Sequence, residues 1–138
     1  MTLDLWLAAS AAIVGALLGL LSLISPEQAA RIVRLQPTDN SPGGFAEFRA
    51  TYGGLLLFAH LAVLLAISMH EQAGMASVIG ASFAVGAAWL GAALGRALAM
   101  LADHGQHQTR TGYNVFSTVF ELALAFALLA PWIGHLPL

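Results

Sequence analysis

Two oppositely charged residues lie inside long apolar stretches instead of beside them. Arg96 comes five residues before such a stretch closes at Leu101, and Glu121 comes eight residues after another opens at Tyr113. At 1.5 Å per helical residue they sit about 8 Å and about 12 Å inside. Asn114 and Ser117 share the Glu121 face by i, i+3, i+7 spacing. Glu47 and Arg49 stand at the mouth of a further apolar stretch, with Tyr52 one turn deeper than Arg49 on the same face by i, i+3 geometry. These seven residues fall in one layer. An unpaired arginine in hydrocarbon costs about 2.5–3.5 kcal/mol at mid-helix, so Arg96 and Glu121 are expected to pair, with bidentate geometry favoured by the guanidinium. Two roles follow. The layer is a polar site opening toward the cytoplasm, for an anionic or polar head group or a quinone-like ring carbonyl, or it is a structural clamp that fixes helix register.

Histidine raises two further chemistries. His60 lies in the middle of an apolar stretch, where a haem or pigment ligand could sit, but no second histidine shares its depth. A hydrogen bond across helices is the simpler use of such a residue. No pigment site is assigned, and His60 is its one candidate. His104 and His107, with Asp103 beside them, are suitable metal-ligand types. A loop of this kind fixes no geometry and reads equally as a pH-sensitive solvated segment, so no metal is assigned and these two are its candidates. The absence of cysteine excludes thiolate catalysis, disulfides and iron–sulfur clusters. No phosphate-binding loop, nucleophile elbow or H-E-x-x-H motif is present, and no catalytic residue is assigned. The reading leans away from an enzyme.

The elements that must hold this layer are set by composition. The chain has 138 residues, 59% hydrophobic and 9% charged, far below the roughly one quarter charged of soluble domains. Four stretches approach the 20 or so apolar residues that cross a bilayer: 5–24, 50–69, 73–101 and 113–136. They show no period-2 alternation, which argues against strands. The expected fold is all-α, one integral membrane four-helix bundle over residues 1–138. The first stretch begins MTLDLW, acidic where a signal peptide is basic, so a retained helix is expected. All five arginines lie on or near one side of the four spans, and there is no lysine. Basic loops stay cytoplasmic, which puts both termini on the other side of the membrane. With no basic patch, nucleic acid is not a partner.

Within the first basic loop, Ser25-Pro26-Glu27-Gln28 has the form of a helix start. The AARIVRL run after it places Ile32, Val33 and Leu35 beside Arg31 and Arg34, which suits a short helix lying in the membrane interface. A solvated connector is the alternative. QPTDNSPGG then reads as turn material. Small residues recur at Ala11, Gly15 and Gly19 and at Ala87, Gly91 and Gly95. Such stripes allow close helix approach, within the chain or in a homo-oligomer or other membrane complex. Trp6 and Trp132 fit an interfacial belt.

The run Glu47-Phe48-Arg49-Ala50-Thr51-Tyr52-Gly53-Gly54, then Gly95-Arg96, Asp103 with Gly105, and the isolated Glu121 of the last span resemble the DUF4345 family of small bacterial membrane proteins. The resemblance covers nearly the whole chain. It implies a four-span protein of about this size, placed in a bacterial inner membrane, and it implies no activity. The function expected is an accessory or assembly subunit, or a lipophile-binding module with a bound lipid or quinone. The alternative is a small membrane enzyme or carrier acting on a lipid or quinone at the charged layer.

Overall fold

The computed structural model describes residues 1–35 and 43–136, so most of the stretch read as turn material lies outside the described residues. Every regular element among them is helical: α1 (Leu3–Ile24), α2 (Pro26–Val33), α3 (Gly44–Phe48), a π-helical segment (Arg49–Leu55), α4 (Leu56–Ser68), α5 (His70–Ala73), α6 (Met75–Ala102), α7 (His104–His107) and α8 (Gly112–Ile133). Four continuous helices are long and apolar enough to cross a membrane: Leu3–Ile24, Gly44–Ser68, Met75–Ala102 and Gly112–Ile133. Large apolar side chains such as Leu17, Phe58, Leu94, Leu98 and Phe116 point outward from all four. In water such a surface would be untenable. In a bilayer it is the lipid-facing side.

α6 packs most extensively against α8, and α1 against α4 and α8. α4 and α6 are joined through the short α5, yet touch each other much less. The core explains this. Leu5, Ala8, Ala12, Val63, Ile67, Val78 and Leu128 close one half of the bundle, at the end away from the arginines. Towards the arginine-bearing end no comparable core joins α4 to α6 among the described residues, and residues of both helices line a cavity. Here glycine matters. A Cβ on Gly19 would stand 2.5 Å from the Leu57 backbone nitrogen, so only glycine lets α1 meet α4 this closely.

α2 forms where the sequence signal places it, with Pro26 in its first turn, but the Ser25 side chain makes no capping hydrogen bond. Ala29 and Ala30 pack on Phe48, Leu21, Val33 and Phe45 instead, so tertiary contact holds the helix. Its end is a Schellman turn. Arg34 adopts the left-handed conformation (φ 59°), and the Leu35 N–H bonds to the Ala30 carbonyl at 3.0 Å. That unusual backbone for a non-glycine carries the Arg34 guanidinium over the Tyr113 ring, 3.9 Å from its centroid. The Tyr113 hydroxyl donates to the Ile32 carbonyl. α2 is therefore latched to the start of α8.

Candidate functional site

Arg96 and Glu121 meet across the α6–α8 interface. Arg96 Nη2 donates to Glu121 Oε1 at 2.6 Å, and Nε–H is shared between Oε1 and Oε2 at 3.2 and 3.1 Å. Nη1 donates to Asn114 Oδ1 at 3.4 Å. Asn114 is held by its own contacts: its Nδ2 donates to the Thr109 carbonyl at 2.7 Å, and its backbone N–H caps onto Thr111 Oγ1 at 3.2 Å. Thr109 Oγ1 in turn donates to the Ala99 carbonyl at 2.8 Å. The turn between α6 and α8 thus fixes Asn114, which steadies one edge of the guanidinium while the carboxylate takes the other. The Glu121 residue is 6% exposed, whereas a third of the Arg96 side chain remains accessible.

Tyr52 and Arg49 part company. The segment Arg49–Leu55 is π-helical. A turn closed by i→i+5 bonds holds about one more residue than an α turn, so residues three apart no longer stack on one face. Tyr52 lines a cavity and stacks on Phe48, ring centroids 4.8 Å apart. Arg49 and Glu47 are exposed and make no side-chain hydrogen bond or ion pair among the described residues. Ser117 is half-buried on α8 and likewise makes no side-chain hydrogen bond among them.

The cavity has a volume of about 700 Å³ and is lined by residues of both α4 and α6. Leu18, Leu21 and Ser22 of α1 form one wall, and Ala29, Ile32 and Val33 of α2 close the arginine-bearing end. Arg96 and Glu121 line it beside Tyr52, while His60 and Trp89 line it farther in. Its size falls within the range of about 300–1,000 Å³ common for small-molecule sites, and mostly apolar walls with a few polar groups are the usual composition.

His60 is fully buried, and both of its ring nitrogens are engaged. Nδ1 bonds to the Leu56 carbonyl at 2.6 Å, and Nε2 receives the Trp89 indole N–H at 2.9 Å. The pattern fixes one neutral tautomer, with the proton on Nδ1. A metal or haem ligand bond at Nε2 would have to displace Trp89. Gly15 makes the arrangement possible, because a Cβ there would stand less than 3.0 Å from His60 Nε2, closer than real Cβ contacts come. The His60–Trp89 pair was not legible as a pair in the sequence. A lone histidine and a lone tryptophan on neighbouring spans, with a glycine facing them, is the weak signal that was present.

The other glycines are placed differently. Among the described residues nothing stands within 4 Å of a Cβ built on Gly91 or Gly95, so these two meet no described neighbour. The close α6–α8 approach uses Gly86 instead, against Leu129, Leu128 and the Ala125 carbonyl. His104 and His107 lie on the short α7, where His104 Nδ1 accepts the Arg110 N–H at 3.2 Å. No group of three histidine, aspartate or glutamate side chains converges among the described residues.

A family model described as a domain of unknown function, DUF4345, matches residues 3–131. No curated protein and no solved structure matches the chain.

Proposed function

The chain belongs to the DUF4345 family, a membership that carries no activity with it, and on the geometry alone we propose that this multi-pass membrane protein is a lipophile-binding module. One observation carries the reading: an apolar cavity of about 700 Å³, walled in part by α4 and α6, is lined by the half-buried Arg96 and the buried Glu121 that pair with each other. A clamp that only fixed register would have no need of a cavity against it. The ligand is a bilayer component, a lipid or a quinone, reaching the cavity from the side between α4 and α6. The arginine-bearing end faces the cytoplasm of a bacterial inner membrane, with both termini on the far side, and α2 lies in the interface.

A second reading, a subunit of a larger membrane assembly or a homo-oligomer, is favoured by the open face of α6 at Gly91 and Gly95. Native mass spectrometry of protein extracted gently from its own membrane, with an absorbance spectrum of the same sample, separates the two. A stoichiometric extra mass of a lipid or quinone supports the module. Co-migrating subunits without such a mass support the assembly role. A bare chain without absorbance sinks the module and leaves the pair as a clamp.

A further inference from the structure

The two ends of the cavity differ in what they can still bond. At the inner end His60 and Trp89 satisfy each other and the Leu56 carbonyl, so no free donor is left there. At the other end Arg96 has five N–H groups, of which Nε–H, one on Nη1 and one on Nη2 are engaged. One N–H on each Nη has no partner among the described residues. Tyr52 also lines the cavity, and its hydroxyl has no hydrogen-bond partner among the described residues either. Glu121 Oε2 receives only the shared Nε–H, at 3.1 Å, and keeps acceptor capacity. Donors and an acceptor therefore stand side by side, and the two charges cancel. Arg31, Arg34, Glu47 and Arg49 are exposed and do not line the cavity, so Arg96 and Glu121 are the charged residues of its lining.

We propose that the cavity takes an uncharged amphiphile with a hydroxyl or carbonyl head, seated against Tyr52 and Arg96 with its chain running inward past Trp89. The inference rests on the lipophile-binding reading and adds head-group class and orientation to it. A hydroxyl accepts from Arg96 and donates to Glu121. A carbonyl accepts from Arg96 or Tyr52. A carboxylate or phosphate would leave water to face an arginine already committed to Glu121, with that carboxylate alongside, and an ammonium meets the mirror-image problem. The satisfied His60–Trp89 end offers a chain nothing but contact, which suits a hydrocarbon.

The test uses full-length protein carrying Trp6→Phe and Trp132→Phe, which leaves Trp89 as the sole tryptophan. Both replaced residues are exposed and outside the cavity. In zwitterionic nanodiscs, Trp89 fluorescence is titrated with brominated saturated chains that differ only in the head: alcohol, methyl ketone, carboxylate or trimethylammonium. Concentrations are corrected for partition into lipid. Saturable quenching by the alcohol and ketone, with the two ions at least about tenfold weaker, is expected. Equal or tighter binding of either ion overturns the neutral-head inference while leaving the lipophile reading standing. If none of the four quenches saturably, the lipophile reading itself fails. Glu121→Gln frees the arginine charge and should raise carboxylate affinity relative to the alcohol by at least about tenfold. An unchanged ranking in that variant overturns the assignment of the head to this pair, and the ranking with Glu121 intact decides alone if the variant does not accumulate.

Discussion

Removing Glu121 or Arg96 singly should be far more damaging than removing both. Glu121→Leu leaves the guanidinium six residues inside the end of α6 at Ala102, about 9 Å deep, with Asn114 Oδ1 at 3.4 Å as its remaining partner. A mid-helix arginine costs about 2.5–3.5 kcal/mol on the insertion scale. A third of the Arg96 side chain is accessible, and the head can bend toward the interface, so the penalty falls to about 2 kcal/mol. Arg96→Met strands a carboxylate on a residue only 6% exposed. Breaking a buried pair this way costs about 3–5 kcal/mol, lowered to about 2–3 kcal/mol if the acid takes up a proton. The double variant Arg96→Met/Glu121→Leu removes both charges and should cost about 0–1 kcal/mol. The singles thus sum to about 4–5 kcal/mol and the double falls short of that sum by about 3 kcal/mol or more. Reversible unfolding in mixed micelles, followed by helical circular dichroism, measures all four corners of the cycle. Additivity within about 0.5 kcal/mol would show that the two residues are energetically independent and would refute the layer as a coupled unit.

The glycines should divide by position and not by stripe. Gly15→Ala drives a methyl into a His60 ring held by two hydrogen bonds and should cost about 3 kcal/mol or more, whereas Gly91→Ala and Gly95→Ala meet open space and should be neutral or stabilising by up to about 1 kcal/mol; thermal unfolding of the three variants checks the order. Gly91→Leu or Gly95→Leu should leave the monomer folded and change only its assembly, read by native mass spectrometry. Trp89→Phe orphans His60 Nε2 and should destabilise by about 1 kcal/mol, with His60→Leu costing a similar amount and the double variant less than their sum. Tyr113→Phe releases the bond to Ile32, and hydrogen exchange at Ala29–Val33 should quicken while global stability changes little; exchange that stays unchanged would mean that α2 is held by its alanine face alone.

The length and composition of the apolar stretches alone dictate an all-helical chain with four helices able to cross a membrane, because hydrocarbon leaves the backbone no other partner than itself. Counting residues from the span ends also brings Arg96 and Glu121 to similar depth, and the cost of an unpaired charge at that depth favours their meeting. What lies around the pair came from tertiary structure. The π-helical turn puts Tyr52 on the cavity lining and leaves Arg49 off it, yet the residues R-A-T-Y-G-G carry no periodicity that distinguishes it from an α turn. Stripes of small residues on α1 and α6 look alike in sequence, but among the described residues only Gly15 and Gly19 of those glycines meet a neighbour. Spacing says which residues share a face; it does not say what that face touches. The cavity is further still from the sequence. It arises because apolar side chains fill the space between α4 and α6 at one end and not at the other, a balance of volumes summed over all four spans that no local stretch contains.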